Sequence, residues 1–438
     1  MFTQFGTICI GLFDNLMVGY LGKEAIASVS LANSVFFMLI IFGLGMSMAI
    51  PPLISYADAK KNYKEVAMIF YHSMVLNFIL SLVMYGLVHI FFYASPYFEQ
   101  PKEIMDQTIS FLKILSISFF PWIMFEIFRK FSEGLQIVYP SLIITWLAAI
   151  INVILNYLFI NGYLGFPKLG FIGVAYATLI SRIIMLIGIS FILYLKYNKI
   201  RFYVNYLKFL TLEKTYIKKI LKTGIPSGLH MLFEMGSFAV SSFISGKCGI
   251  KVLAAHQVVI NLVSSTFLII TGFSITATIR ISNQLALKKY YKLNKIGLAI
   301  IFMGSIVMLI CSLIFIYFRN EIPYFYIKKN DYEIIPIIEK MIIIASIFQI
   351  SDGIQGITIG ILRGLQDFKI PMWISFFSYW IIGLPISWFL SLKMGGIGVW
   401  IGIGIGLTIS SILLIIRYNI VIKNIIKYQK KISTIKKI

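Results

Sequence analysis

The chain carries about twelve apolar stretches, each long enough to cross a lipid bilayer as one helix. They lie at approximately residues 1–20, 31–55, 66–94, 108–128, 138–161, 170–196, 217–245, 254–282, 295–318, 334–362, 371–392 and 396–420. Of the 438 residues, 59% are hydrophobic and 13% are charged, whereas a soluble domain is typically about 45–50% apolar and about 25% charged. Because no soluble core absorbs this much apolar surface, we predict an all-α polytopic membrane protein with about twelve transmembrane helices.

The loops between these stretches alternate in charge, and this alternation predicts the orientation. Every second loop is basic, from Lys60, Lys61 and Lys64 after the second stretch to Lys436 and Lys437 in the tail. The positive-inside rule places the basic loops and both termini in the cytoplasm. We therefore expect a multi-pass protein of the cell (inner) membrane that contacts membrane lipids. Although the net charge is +22, its distribution between apolar runs does not predict binding to nucleic acid.

The two halves of the sequence resemble each other. The segment "YLGKEAIASVSLANSVFFMLIIFGLGMS" (20–47) aligns with "KCGIKVLAAHQVVINLVSSTFLIITGFS" (247–274), and "LGFIGVAYA" (169–177) aligns with "MGGIGVWIG" (394–402). Halves in the same orientation form a parallel repeat, whose axis lies along the membrane normal. We predict two six-helix lobes related by pseudo-twofold symmetry around a central cleft. The N-lobe covers 1–196, a cytoplasmic linker covers 197–216, and the C-lobe with its basic tail covers 217–438.

Two carboxylates interrupt apolar stretches of the second half. Asp352 lies roughly 27 Å along its predicted helix at 1.5 Å per residue, too deep for its side chain to reach the interface. On the seventh stretch, Glu234 belongs to a polar stripe with helical spacing that also contains Ser227, His230, Ser237 and Ser241. An ionisable group at this depth is costly and indicates a functional site. We predict that Glu234 and Asp352 bind a proton or Na⁺ and, alternately, a cationic substrate.

Polar side chains also recur in the first half. Asp14 lies on the first stretch, and Asn152 and Asn156 lie on one face of the fifth. Oxygen ligands of this kind suit a hard cation. Na⁺ is therefore a candidate ligand either at Glu234 and Asp352 or at Asp14, Asn152 and Asn156.

Other polar and aromatic side chains are candidates to line a cavity. These are His230, Ser237, Phe348, Gln355 and Arg182. For Arg182 two interpretations stay open, a counter-ion for Asp14 or a side chain that reaches a wet cavity. Charged residues at the inner helix ends are expected to form latches between helices. They are Glu126, Arg129, Glu133, Arg280, Arg363 and Asp367.

Several segments resemble the MATE (multidrug and toxic compound extrusion) family, within its NorM-like branch. They include "FDNLMVGYLGKEAIASVSLA" (13–32), "KTGIPSGLHMLFEMGSFAVSS" (222–242), "LAAHQVVINLVSSTF" (253–267) and "DGIQGITIGILRGLQDFKIP" (352–371). The resemblance implies two six-helix bundles that alternate between outward-facing and inward-facing states.

The resemblance also implies site residues. Glu234 and Asp352 match the family's C-lobe cation-site carboxylates, and Asp14, Asn152, Asn156 and Thr178 match its N-lobe site. Phe348 stands where some Na⁺-coupled relatives have Tyr. The chain begins inside the first helix of the family pattern.

Together these features predict a secondary active multidrug efflux antiporter. We expect it to export small cationic or amphipathic compounds in exchange for Na⁺ or H⁺, to act as a monomer, and to need no cofactor besides the coupling ion. The sequence has no metal-spaced His/Cys/Asp set and no nucleophile motif, so we do not expect an enzyme. A flippase for a lipid-linked precursor of the same superfamily is the alternative, although it predicts a cavity rich in Arg and Lys. An ion channel also stays open.

Overall fold

The computed structural model describes residues 2–98, 101–206, 211–326 and 332–435. The chain divides into two compact units, Met1–Gly228 and Leu229–Ile438. Among the described residues, ten helical segments are long and apolar enough to cross a membrane. The shorter apolar helix near the N-terminus and the 34-residue helix Lys214–Lys247, which carries the polar stripe, lie at the first and seventh predicted stretches.

The first unit contains nine helices and the beginning of a tenth. They are α1 (Phe2–Gly19), α2 (Lys23–Ser47), α3 (Ile50–Ala59), α4 (Tyr63–Ala94), α5 (Lys102–Ile117), α6 (Phe119–Gly134), α7 (Tyr139–Asn161), α8 (Phe171–Lys196), α9 (Asn198–Tyr206) and α10 (Lys214–Lys247). One predicted apolar stretch is divided into α2 and α3, where Pro51 and Pro52 follow the break. Proline is tolerated in the first turn of a helix but not in its interior, which explains why a new helix begins there.

The second unit contains the rest of α10 and six further helices. They are α11 (Ile250–Ala286), α12 (Tyr290–Tyr317), α13 (Ile335–Gly364), α14 (Lys369–Phe376), α15 (Leu384–Met394) and α16 (Gly396–Ile435). A π-helical segment, Phe377–Gly383, joins α14 to α15 within one membrane span.

Backbone conformations support the sequence repeat. Left-handed φ angles occur at matching positions of the two halves: 116° at Gly22 and 120° at Gly249, 65° at Gln136 and 63° at Gln366, 58° at Gly170 and 59° at Gly395. A non-glycine residue with positive φ is uncommon. Its occurrence at both Gln136 and Gln366 therefore indicates that the two turns are built in the same way.

Close packing between α11 and α13 places Asp352 within the second unit. Ser274 Oγ donates a hydrogen bond to the Gly356 carbonyl over 2.7 Å, and Thr278 Oγ1 donates to the Gly360 carbonyl over 2.8 Å. A side chain at Gly360 would collide with the Ser274 backbone. Small residues allow such close approach between membrane helices, and hydroxyl groups add interhelical hydrogen bonds.

The predicted lobe boundaries at 196 and 217 stay a prediction. The two compact units separate inside α10, between Gly228 and Leu229. The linker between these positions contains α9, and residues 207–210 lie outside the described part of the chain. Asp58 of α3 accepts hydrogen bonds from Tyr203 Oη over 3.0 Å and from Lys199 Nζ over 2.6 Å. Burial, with the Asp58 carboxylate adding to it, raises the pKa of the Tyr203 hydroxyl well above its ordinary value. Tyr203 therefore stays a donor at physiological pH.

The expected latches are only partly found between helices. In α6, Arg129 pairs with Glu126 over 2.9 Å and with Glu133 over 3.3 Å, so these contacts are intrahelical. The expectation of a latch between helices is wrong for these three residues, because spacings of three and four residues bring side chains together on one helix. Asp367, in contrast, joins the α13–α14 turn to α16 through Arg417 Nε over 2.6 Å.

Candidate functional site

Glu234 on α10 and Asp352 on α13 line one cavity of about 130 Å³ in the second unit. Their exposed fractions are only 6% and 4%. The aromatic part of the lining comes from Phe238, Phe267 and Trp400. Two carboxylates are thus held in an apolar, aromatic surrounding, where a charged form is unfavourable unless a cation or a hydrogen-bond donor compensates it.

The two carboxylates differ in their hydrogen bonds. Glu234 Oε1 accepts a bond from Gln355 Nε2 over 3.1 Å, and Glu234 Oε2 lies 4.0 Å from His230 Nδ1. Within the described residues, Asp352 Oδ2 is buried and has no hydrogen-bond partner. A buried oxygen in this condition needs a proton or a cation, because leaving it unpaired is costly.

The structure brings some of the predicted lining residues to this pair. Gln355 contacts Glu234 directly, and His230 lies one helical turn before it. Ser237 Oγ donates instead to the Glu234 carbonyl over 2.7 Å, so it serves the helix backbone. Phe348 stacks on Trp400 with ring centroids 5.9 Å apart and supports the cavity wall from behind.

Two contributors were missed from the sequence. Tyr379 Oη donates to Gln355 Oε1 over 2.6 Å, and Trp400 lines the cavity itself. A signal existed for Tyr379, since a hydroxyl in the middle of an apolar stretch needs a hydrogen-bond partner. The sequence pattern did not indicate that Gln355 is this partner, because the π-helical segment changes the helical register of this span.

The predicted residues of the first half also meet in one place, inside the first unit. Asp14 on α1 accepts a hydrogen bond from Asn156 Nδ2 to Oδ1 over 2.6 Å and one from Thr178 Oγ1 to Oδ2 over 2.9 Å. Asn156 Nδ2 also lies 3.3 Å from Asn152 Oδ1. All four side chains are buried. Across the part of the chain that is described, Asn156 Oδ1 has no partner, so a turn of this amide offers an oxygen ligand to a cation beside Asp14.

Arg182 has an aromatic environment. Its guanidinium carbon lies 4.7 Å from the Phe36 ring centroid and 4.1 Å from that of Trp122, and Nη1 donates to Ser118 Oγ. In the described ranges no carboxylate oxygen lies within 4.0 Å of this guanidinium. Direct ion pairing with Asp14 is therefore not observed, and cation–π contacts hold the charge instead.

These features define a class of protein: a multi-pass membrane protein with a buried polar site in each of two helical units. A family model described as MatE matches residues 1–158 and 226–389, and the chain belongs to this family of transporters. The family assignment confirms the predicted resemblance, and it confirms that the chain is a transporter and not an enzyme.

Relatives and solved structures agree with this assignment. The chain is 28% identical to the "Probable multidrug resistance protein NorM" of Pasteurella multocida (strain Pm70), over 95% of the chain and 91% of that protein. It is 29% identical to the "Multidrug resistance protein NorM" of Aliivibrio fischeri (strain ATCC 700601 / ES114), over 93% of the chain and 89% of that protein. A crystal structure of MATE in the bent conformation shares the fold, with a TM-score of 0.88, 19% identity and coverage of 98% and 94%. The all-α, two-lobe fold class is thereby confirmed.

Proposed function

We propose that this chain is a secondary active multidrug efflux antiporter, which exports cationic amphipathic compounds in exchange for Na⁺ or H⁺. The observation that carries the proposal is the pair of buried carboxylates, Glu234 and Asp352, in one aromatic cavity. The names of the relatives point to the same activity, since both names given above contain the words multidrug resistance protein.

The pair couples the two fluxes through competition. A proton, Na⁺ or the cationic group of a drug each compensates negative charge of the Glu234–Asp352 pair, and one such occupant excludes another. Drug release therefore accompanies ion entry, provided that each ligand binds the two transport states with different affinity. Aromatic walls from Phe238, Phe267 and Trp400 add apolar and cation–π attraction without demanding one molecular shape.

The size of the cavity indicates which occupant fits the conformation described. A volume of about 130 Å³ holds several water molecules or one hydrated cation. Pockets for drug-sized ligands are larger, at roughly 300–1,000 Å³. We infer that the Glu234–Asp352 cavity admits an ion at this volume, and that a drug-sized compound requires a wider cavity.

Asp14 and its amide partners form the second proposed ion site. The carboxylate accepts hydrogen bonds from Asn156 and Thr178, and a bound cation takes the place of one of these donors. We also propose that the protein lies in the cell (inner) membrane, with both termini in the cytoplasm, and works as a monomer among membrane lipids.

A flippase for a lipid-linked precursor is less well supported. Such an anionic head group requires basic side chains, yet the lining of the described cavity includes two acids and neither lysine nor arginine. The acidic, aromatic surface suits a cation instead.

Dye export from inverted vesicles tests the proposal. Na⁺ and pH gradients are imposed separately, and the wild type is compared with Asp352→Asn. Asp106→Asn serves as the matched control, because Asp106 is an exposed carboxylate at the start of α5. We expect one gradient to drive export in the wild type and in the control, but not in Asp352→Asn. Equal export by Asp352→Asn and wild type contradicts the proposal.

A further inference from the structure

Arg182 on α8 is a charged side chain that takes no part in either of the two proposed ion sites. Its guanidinium lies over the rings of Phe36 and Trp122, and its Nη1 donates a hydrogen bond to Ser118 Oγ. A cation inside a membrane-spanning helix is costly and usually indicates a functional role. The position of Arg182 therefore calls for a functional explanation as well as a structural one.

The aromatic surface under this guanidinium is built by α2 and α6. The Phe36 and Trp122 rings are nearly parallel, with an interplanar angle of 7° and centroids 5.7 Å apart. Phe119 stacks on Phe36 with centroids 4.2 Å apart. All three rings are buried. Because the packing of two helices fixes these rings, they offer the guanidinium one defined place.

Arg182 also lies close to the polar site of the first unit. Thr178, which donates a hydrogen bond to Asp14 Oδ2 over 2.9 Å, comes one helical turn before Arg182 on α8. Side chains four residues apart on a helix are neighbours, with Cβ atoms about 5–6 Å apart. The charges of Asp14 and Arg182 act on each other. The long side chain of Arg182 thus has two alternative partners, the aromatic rings and the carboxylate.

We propose that Phe36 and Trp122 are positioning residues for the cation site of the first unit. They hold the Arg182 guanidinium away from Asp14, and so leave this carboxylate open to the transported cation. A guanidinium that pairs with Asp14 supplies the positive charge itself and takes the place of the ion. On the rings, the same guanidinium has its charge compensated without using the carboxylate. The inference rests on the proposed role of Asp14 as an ion site.

Removal of Arg182 separates this role of the rings from ordinary packing. A ring that only packs against its neighbours has the same effect on the site whether or not Arg182 is present. A ring that restrains Arg182 matters only while the guanidinium is there. Trp122→Leu, made with and without Arg182→Gln, therefore distinguishes the two roles, because glutamine removes the competing charge.

Binding of radioactive Na⁺ to the purified full chain tests the inference without any transported drug. The part of the binding that depends on Asp14 is the difference from the same protein carrying Asp14→Asn. In Trp122→Leu we expect the dissociation constant of this part to rise at least about tenfold, since a guanidinium that reaches the carboxylate competes with Na⁺. Arg182→Gln should bind at least as tightly as the wild type. The double variant should bind like Arg182→Gln alone.

Phe70→Leu is the matched control. Phe70 is a buried ring of the same unit, which stacks on Phe131 with centroids 4.1 Å apart, and its loss should leave the dissociation constant unchanged. The inference is overturned by unchanged binding in Trp122→Leu, by a weakening that persists in the double variant or appears equally in Phe70→Leu, or by the lack of Asp14-dependent Na⁺ binding in wild type and Arg182→Gln. Dye export that neither gradient drives, with the binding pattern intact, counts instead against the proposed antiport.

Discussion

Asn156 Nδ2 donates a hydrogen bond to Asp14 Oδ1 over 2.6 Å, although the two residues lie 142 positions apart in the chain. Both side chains are buried, and they belong to α7 and α1 of the first unit. The bond gives one of the two carboxylate oxygens of Asp14 a donor, since the surrounding apolar helices exclude water from this side chain. A buried carboxylate stripped of such a donor is strongly disfavoured in its charged form.

Replacement of Asn156 by alanine should therefore impair exchange at this site. A hydrogen bond to a charged group contributes about 1.5–3 kcal/mol, so we expect dye export to fall roughly tenfold or more. Asn161→Ala provides the control on the same helix, because Asn161 is exposed and its amide donates to the nearby Tyr157 carbonyl. Export rates in vesicles with matched protein amounts decide the result. Similar rates for both variants count against a role of the Asp14 site.

Arg182→Lys should lower the thermal stability of the protein. Lysine keeps the charge but loses the planar group that lies over Phe36 and Trp122. We expect a melting temperature in detergent lower by about 2–4 °C, as a loss of about 1 kcal/mol implies for a domain of this size. Arg280→Lys should have no such effect, since Arg280 is exposed. An unchanged melting temperature of Arg182→Lys contradicts this prediction and indicates that charge alone is required at this position.

Asp58→Ala should loosen the linker helix α9. The substitution removes the acceptor shared by Tyr203 and Lys199. Tyr203→Phe should reproduce most of the effect, because the exposed Lys199 pair contributes little by itself. Limited trypsin digestion is the measurement, with cleavage after Lys199 or Arg201 expected to become several times faster. Unchanged cleavage in both variants contradicts the assigned attachment of α9 to α3.

Gly360→Ala should destabilise the packing of α13 on α11. An added Cβ at this position meets the Ser274 carbonyl and hydroxyl oxygens. Overpacking of this kind typically costs about 1–3 kcal/mol. Gly86→Ala is the matched control, because nothing lies within 4 Å of the Cβ it would add. After heating, the fraction of protein that elutes as a monodisperse peak on size-exclusion chromatography should fall for Gly360→Ala only. Equal resistance of both variants to heating is inconsistent with the close helix contact.

The carboxylates stand out in the sequence because charge is rare inside apolar stretches. Asp352 and Glu234 were recognisable from the cost of placing an ionisable group in a bilayer. Gln355 followed from helical spacing, since it lies three residues after Asp352 on the same face. The backbone repeat also followed from the aligned segments, in which Gly22 matches Gly249. Both glycines have a positive φ in the structure.

The remaining features depend on contacts between distant helices or on irregular backbone. The surroundings of Arg182 come from α2 and α6, and no local pattern places Phe36 beside Trp122. The partner of Tyr379 was missed because the π-helical turn that brings it to Gln355 leaves no mark in the local sequence pattern. The break between α2 and α3 was missed as well, although Pro51 and Pro52 mark it.

Competition between ion and drug is the central claim, and equilibrium binding tests it most directly. The dissociation constant of a fluorescent cationic dye is measured on purified protein at increasing NaCl and, separately, at decreasing pH. Choline chloride controls for ionic strength, and Asp352→Asn controls for the site. The account predicts that one ion raises the apparent dissociation constant in proportion to its concentration, without a plateau, and that Asp352→Asn abolishes this dependence. A dissociation constant that neither ion changes, or one that reaches a plateau, contradicts mutually exclusive binding at Glu234 and Asp352.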